Sequence, residues 1–304
     1  MINKLLLTSF LFGILLSCST PEKSKNGKLN VVATTGMLYD AVLNIGGNKI
    51  EAQAIMGPGV DPHLYKATQG DLAKFKNADV IIYNGILLEG KMTEVLGKLG
   101  RQKPVFAVAE SIPEDMLLPF AGYKDAFDPH VWFDVTRWKR VVQEIGNSLS
   151  NADSVNADFY KINTQTYLKK LDSLNLFVQT RIQEIPENRR ILVTAHDAFG
   201  YFGDAYGVQV EGLQGISTVA DFGLKDIANI IDIIISNDIN AIFVETSVSE
   251  KSINAVVTGC REKGHDVRIG GYLYSDAMGE FGTREGTYLG MFEKNVNTIV
   301  DALK

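Results

Sequence analysis

The chain has 304 residues, 45% of them hydrophobic and 22% charged, and its 30 basic and 36 acidic side chains leave a net charge of −6. That length accommodates two domains of ordinary size or one large one, and the composition is that of a soluble globular protein. Mild acidity with no basic run argues against nucleic acid or an anionic membrane surface as a partner, because both demand concentrated positive charge.

The N-terminal segment MINKLLLTSFLFGILLSCST opens with one Lys, continues with an apolar run from Leu5 to Leu16 and ends at Ser17-Cys18. A charged start, a short apolar core and a small residue before the break describe a secretory signal peptide. The run is short of the ~20 residues a membrane-spanning helix needs. Leu15-Leu16-Ser17-Cys18 resembles a bacterial lipobox, which makes residues 1–17 the signal peptide and Cys18 the lipidated first residue of the mature chain. An uncleaved anchor and an ordinary signal peptide are the alternatives. Residues 18–28 are polar and rich in turn formers, as a flexible lipidated tether should be. The folded part is expected to start near Leu29, anchored to a membrane through Cys18 and outside the cytoplasm. With Cys18 lipidated, Cys260 has no partner for a disulfide. Its helical surroundings make it a small buried apolar residue, and the fold must rest on core burial.

From Leu29 onward, strand-like and helix-like segments alternate. Short β-branched runs fall at 28–35, 49–56, 78–84 and 103–109, with helical stretches at 68–76 and 90–99. The second half repeats the scheme with runs at 189–195, 207–213, 239–245 and 266–273, and helical patterns at 225–236, 249–263 and 286–303. Alternating βα units predict parallel sheets covered by helices, and two sets predict two α/β lobes. Between the sets, residues 154–185 contain neither Gly nor Pro. Apolar residues recur there at Val155, Phe159, Ile162, Leu168, Leu171, Leu174, Val178, Ile182 and Ile185. Steps of three and four predict one long amphipathic helix stopped by Pro186, or two shorter helices with a bend near Asn163. The expected organisation is an N-terminal lobe over 29–152, a linker helix over 153–186 and a C-terminal lobe over 187–304. A stiff connector resists wide hinge closure, so a modest lobe tilt is expected.

Two of the chain's four histidines sit in the same tripeptide, in GVDPHLY at His63 and AFDPHVW at His130. The prolines fix φ and bias the preceding residue to extended geometry, so each imidazole is held on a stiff loop. His63 follows the second strand and is expected to open a helix; His130 precedes another helix start. His196 in ILVTAHDAFGYF falls between a strand and a helix, and Asp276 in GGYLYSDAMGE ends the last strand-like run. Ligands of open α/β sheets bind beyond the carboxyl ends of strands. Three imidazoles and one carboxylate, two from each lobe, would form a closed tetrahedral or five-coordinate cage. A single histidine in such a place is usually a loop or capping residue; three together at strand exits point to metal. His265, at a helix-to-strand turn, reads as a solvated turn residue.

The segments GVDPHLYKATQGDLAKFKNADVIIYNGILLE, FDPHVWFDV, VTAHDAFGYF, GLQGIST and YSDAMG resemble the cluster A-I, or cluster 9, metal-binding lipoproteins of bacterial zinc and manganese ABC transporters. The resemblance runs from about Leu29 to the C-terminus. It implies the class III periplasmic-binding-protein fold, two α/β lobes joined by one long helix, with metal ligands at His63, His130, His196 and Asp276. It also implies an ABC permease as partner, and a monomer is expected. Histidine at the third ligand position, where the adhesion-associated manganese binders of the family have Glu, places the chain in a three-His-one-Asp branch. Many zinc-specific members carry a His-rich loop between the first two ligands, and residues 101–127 contain no His.

Imidazole-rich sites suit zinc, and a carboxylate binding through both oxygens would serve manganese. The expected cargo is therefore one divalent ion, Zn2+ or Mn2+, with Fe2+ left open. Ligating histidines usually donate the free ring N–H to a carboxylate or carbonyl. Glu245, at a strand end, and Asp128 and Asp134, near the second motif, are the candidates for that role, with Asp61 beside the first; a helix cap or solvated acid is the commoner reading of each, and Glu245 is the strongest candidate by its strand-end position. Trp132, Phe199 and Tyr201 are expected to wall the site or fill the core. Two other functions compete with transport. A zinc hydrolase would keep an open coordination position and a nearby base, and no H-E-x-x-H, P-loop or G-x-S-x-G pattern is present. A metal-independent adhesin would have no use for the duplicated Asp-Pro-His. The chain is therefore expected not to be an enzyme.

Overall fold

The computed structural model describes residues 27–120, 124–219 and 223–304. The expected signal peptide, Cys18 and the expected tether up to Asn26 lie outside the described residues.

The N-terminal half is built from β1 (Leu29–Ala33), α1 (Gly36–Gly46), β2 (Ile50–Ala54), α2 (Gln69–Asn77), β3 (Val80–Tyr83), α3 (Thr93–Leu99), β4 (Val105–Ala107) and α4 (Val135–Ala152). Its four strands are parallel in the order β2-β1-β3-β4, with Val31 opposite both Ala52 and Val80. Side chains alternate across a strand, so Val31, Ala33 and Ile82 enter the core shared with α1 and α4. Val32 and Ile81 face the other way, onto Phe75 of α2 and Leu96 of α3. Both faces of the central strands are thereby covered, as a parallel sheet requires. Thr68 and Asp71 form a capping box that starts α2.

Helix α5 (Ala157–Ile182) leads into β5 (Ile191–His196), α6 (Gly200–Tyr206), β6 (Gln209–Gln214), α7 (Leu224–Ser236), β7 (Ala241–Glu245), α8 (Lys251–Glu262), β8 (Arg268–Leu273) and α9 (Tyr288–Leu303). The strands form two parallel pairs, β5–β6 and β7–β8, with β5 and β7 side by side. Every residue of β5 and β7 is buried, which explains the apolar runs Ile191–Val193 and Ala241–Val244, with Thr194, His196 and Glu245 as buried polar residues nearer the strand ends. Cys260 is a buried free thiol in α8. The α/β class and the strand-like runs agree with the sequence, whereas α1 was not evident from it.

Helix α5 runs unbroken past Asn163 and packs on α1 and α4 on one side and α9 on the other. The first third of its inner face differs from the one the apolar spacing predicts. Val155 is 82% and Ile162 66% exposed, and Tyr160, Thr164 and Tyr167 turn inward instead. The cause is a close crossing at Gly146 of α4, where an added Cβ would lie 2.3 Å from Thr164 Oγ1. Only a short side chain fits there, and its hydroxyl is satisfied by the Tyr160 carbonyl at 2.7 Å. From Leu171 onward the expected residues, Leu171, Leu174, Val178 and Ile182, are buried. The largest apolar cluster is continuous from β1 through α4 and α5 to α6 and α9, so burial joins the two halves as well as filling each.

Candidate metal centre

The Asp-Pro-His repeats fold into the same local structure. In each, the aspartate Oδ1 accepts the backbone N–H of the histidine two residues on, at 2.8 Å for Asp61–His63 and 2.9 Å for Asp128–His130. This is an Asx-type turn with proline at its centre, which fixes φ and has no N–H to satisfy. His63 lies in a turn well before α2 begins at Gln69, and so does not open a helix as the sequence suggested. Tyr65, Thr68 and Asp71 bond to one another across the intervening loop and delay the helix start. His130 enters one turn of 3-10 helix ahead of α4.

The second half supplies His196 as the last residue of β5, and Asp276 from the loop after β8. Glu245, at the end of β7, accepts the His196 backbone N–H at 2.8 Å and its Nδ1–H at 2.5 Å. Asp128 does the same for His130, taking the ring Nδ1–H at 2.6 Å. Each carboxylate fixes a tautomer in which Nε2 is the free nitrogen.

All three Nε2 atoms point to one place. His63 and His130 Nε2 are 3.2 Å apart. Asp276 Oδ1 lies 3.3 Å from His130 Nε2, and its Oδ2 lies 3.6 Å from His63 and 3.4 Å from His196 Nε2. Donors held 2.0–2.1 Å from a tetrahedral zinc would lie about 3.3 Å apart. The four side chains are all buried, His63 being the most accessible at 4%. His196 Nε2 and both Asp276 oxygens have no hydrogen-bond partner. Buried polar atoms are rarely left unpaired, and these three share a centre with two further imidazole nitrogens. The residues fit one divalent transition metal, with Asp276 oriented to offer both oxygens.

Burial alone would press all three imidazoles toward the neutral form, and their partners then separate them. His63 is lowered to about 3, by burial and by the neighbouring imidazoles, against the pull of Asp276. His130 is raised to about 10, because Asp128 and Asp276 outweigh its burial. His196 is raised to about 9, where Glu245 and Asp276 outweigh its burial. Asp276, despite burial, is held well below the usual carboxylate range by His196 and His130. Without an ion the centre is thus balanced by protons, which a metal must displace.

Among the other acids read from the sequence, Asp134 is a correction. Its Oδ1 caps α4 through Thr136 N, its Oδ2 pairs with Arg137 at 2.6 Å, and it holds no imidazole. Asp61 bonds the backbone of His63 rather than its ring, and its Oδ2 accepts the Thr218 hydroxyl at 2.6 Å across the cleft. His265 is half-buried rather than solvated, its Nε2 donating to the Ile239 carbonyl at 2.8 Å where β7 begins. Trp132, Phe199 and Tyr201 are all buried. Tyr201 donates to the Asp128 carbonyl at 2.9 Å and accepts the Leu118 N–H.

Three supporting residues escape sequence reasoning. Asn84 donates from Nδ2 to the Pro129 carbonyl, clamping the second Asp-Pro-His loop to the end of β3. Glu89, fully buried, accepts from Thr34 Oγ1 and the backbone N–H groups of Asn84 and Gly85. It thereby holds a turn in which Gly85, Ile86 and Leu87 all have positive φ. Ile86 and Leu87 line, with His63, Phe127 and Ile216, a 340 Å³ cavity at the cleft mouth. Gly200 approaches so closely that a Cβ would lie 2.9 Å from Asp128 Oδ2. The glycine in TAHDAFGYF was the available signal, but nothing local says what presses on it.

Similarity to known proteins agrees with this centre. The manganese-binding lipoprotein MntA of Bacillus subtilis is 53% identical over 292 residues, 95% of each chain. The zinc-binding protein TroA of Treponema pallidum is 44% identical over 293 residues, 96% of this chain and 94% of TroA. The solved structure of periplasmic TroA superposes with a TM-score of 0.89 at 46% identity, covering 91% of this chain and 99% of that one. The family described as zinc-uptake complex component A, periplasmic, matches residues 31–302. With nearly the whole folded chain matched, the protein belongs to that family of metal-binding solute-binding proteins.

Proposed function

We propose that this chain captures one Zn2+ or Mn2+ ion outside the cytoplasm and delivers it to an ABC permease, with His63, His130, His196 and Asp276 as the ligands. The observation that carries this reading is the convergence of three Nε2 atoms and the Asp276 carboxylate, all buried, with ligand atoms within 4.8 Å of one another and four contacts at 3.2–3.6 Å, three of these atoms lacking any other partner. Relatives named for manganese and for zinc support either ion as cargo. The donor set suits both, with nitrogen favouring zinc and a two-oxygen Asp276 serving manganese.

Transport fits better than catalysis. A catalytic zinc keeps a position for water, whereas here a fourth residue aims both oxygens inward and the whole centre is buried. Among the described residues no helix is long and apolar enough to cross a membrane, so attachment would fall to lipid on Cys18, as in relatives named lipoproteins. In this reading residues 1–17 are the signal peptide, 18–28 the tether, and 29–152 and 187–304 the lobes, joined by a linker at 153–186. The protein acts as a monomer, and α5 limits opening to a modest tilt.

Elemental analysis of protein purified without chelator, beside His196→Ala, tests the assignment. About one zinc or manganese per chain, lost in the variant, is expected. Absence of bound metal together with no thermal stabilisation by added Zn2+ or Mn2+ would overturn it.

A further inference from the structure

Trp132 occupies a place that wall-building does not explain. It is buried at 1% exposure, two residues after His130, and its ring stands edge-on to the His130 ring at 5.2 Å. Its indole Nε1–H donates at 3.1 Å to the carbonyl of Ser275, in the peptide that leads into Asp276. Its own carbonyl accepts the Tyr288 hydroxyl at 2.7 Å. Tyr288 begins α9, and its backbone N–H donates to Asp40 of α1, which also accepts the Tyr167 hydroxyl of α5. One side chain thus touches an N-terminal ligand and bonds the backbone beside a C-terminal ligand. The elements that hold it are the first helix, the linker helix and the last helix.

We propose that Trp132 is a positioning residue that sets the separation of His130 from Asp276, and so controls how tightly the cage retains its metal. This rests on the ligand assignment above. Lobes that tilt even slightly change the distance between ligands carried by different halves, and metal–ligand bonds tolerate only about 0.2 Å. The Ser275 carbonyl is a fixed acceptor on the C-terminal half, and Trp132 is the N-terminal group that reaches it. While that bond stands, opening the cage costs a buried hydrogen bond as well as the metal bonds. Gripping the backbone rather than the Asp276 side chain leaves both carboxylate oxygens free for the ion.

The test compares Trp132→Phe with Trp138→Phe, using Zn2+ and Co2+ as probes. Trp138 is the chain's other tryptophan, equally buried, but its Nε1 has no partner, and its ring stacks on the Tyr288 ring rather than on a ligand imidazole, a contact that phenylalanine keeps. Trp132→Phe keeps an aromatic ring and loses the N–H, and Zn2+ should then leave for a competing chelator about five- to tenfold faster, the equivalent of one buried hydrogen bond. The visible absorption of bound Co2+ should shift with the altered ligand geometry. Tyr288→Phe, which frees the Trp132 carbonyl, should move both readouts in the same direction and carries the test should Trp132→Phe not fold. Trp138→Phe should change neither. Normal dissociation and an unchanged Co2+ spectrum in Trp132→Phe would overturn the inference while leaving the ligand assignment intact. Equal effects from the two tryptophan variants would reduce it to general loosening of the core and also overturn it. No binding of either probe by the unaltered protein would remove both readings together.

Discussion

The two Asp-Pro-His loops are identical in sequence and in their Asx turns, yet they hold their histidines differently. At His130 the aspartate grips the ring as well as the backbone, and Asn84 after β3 and Gly200 and Tyr201 of α6 close on the loop. At His63 the aspartate turns away from the ring to bond Thr218 on the facing half, and the imidazole borders the cavity at the cleft mouth. The same tripeptide therefore makes a fixed anchor in one place and a gate-side ligand in the other. The motif secures only the backbone; whether the ring is secured depends on what packs against the aspartate.

The most direct way to break this comparison is to remove each imidazole in turn. His130→Ala should lower Zn2+ affinity by about a thousandfold or more, because it leaves Asp128 and Asp276 facing one another in a buried site without the group between them. His63→Ala should lose roughly a hundredfold, since its place borders the cavity and water can fill the vacated position. Competition with a chelating dye measures both, and equal losses would refute an anchor-and-gate distinction.

Next in size, Asp128→Asn should cost about ten- to a hundredfold in affinity, the usual effect of losing a carboxylate behind a ligating imidazole. Asp61→Asn should stay within about threefold, because that carboxylate does not touch the ring. A larger effect at Asp61 than at Asp128 would invert the comparison.

Protons should separate the two loops as well. His130 and His196 hold protons up to about 10 and 9, against an ordinary 6.5, so metal binding must expel them. Zn2+ affinity should therefore climb by about tenfold or more from pH 6 to pH 8. The metal-free fold should follow the opposite sign. Raised imidazoles contribute stability that is fully present below pH 6.5 and fades as pH rises through 9 to 10. His63, lowered to about 3, works the other way: its contribution is present above 6.5 and is lost as pH falls toward 3. Melting curves of chelator-treated protein from pH 5 to 10 read this directly, and His63→Gln should remove only the acid-side loss.

The smallest effects should come from the residues that press on each loop. Gly200→Ala must displace the Asp128 carboxylate, which its Cβ would approach to 2.9 Å, and should weaken Zn2+ binding about three- to tenfold. Thr218→Val removes the bond between Asp61 and the facing half, and should speed Zn2+ release about two- to threefold with little change in melting temperature. Stopped-flow release into chelator resolves both.

Much of this protein was legible before any coordinates. Period and composition locate the strands because a segment buried on both faces is apolar over most of its length, as Ala241–Val244 and Ile191–Val193 are. The ligand types and the stiffness of their loops were legible too, since proline and an Asx turn act over three residues and need no distant partner. Glu245 and Asp128 could be named as supports by their positions at a strand end and in the motif, but Asp134 looked equally suitable and turned out to cap α4. The inner face of α5 was misplaced where Gly146 and Thr164 let two helices approach more closely than apolar spacing allows for. Asn84, Glu89, Thr218 and Ser275 lie within the segments that carry the family resemblance, but nothing in the sequence says what each of them contacts. The sequence by itself determined the elements, the donor atoms and the local turns, because those follow from short-range sterics and from burial. Only the tertiary structure decided which carboxylate meets which imidazole, which tryptophan joins the two half-sites and which loop faces the cleft mouth. The pairings of Glu245 with His196 and of Trp132 with Ser275 span 49 and 143 positions, and even Asp128, two residues from His130, meets its ring only where the packing around it allows, as the contrast with Asp61 shows.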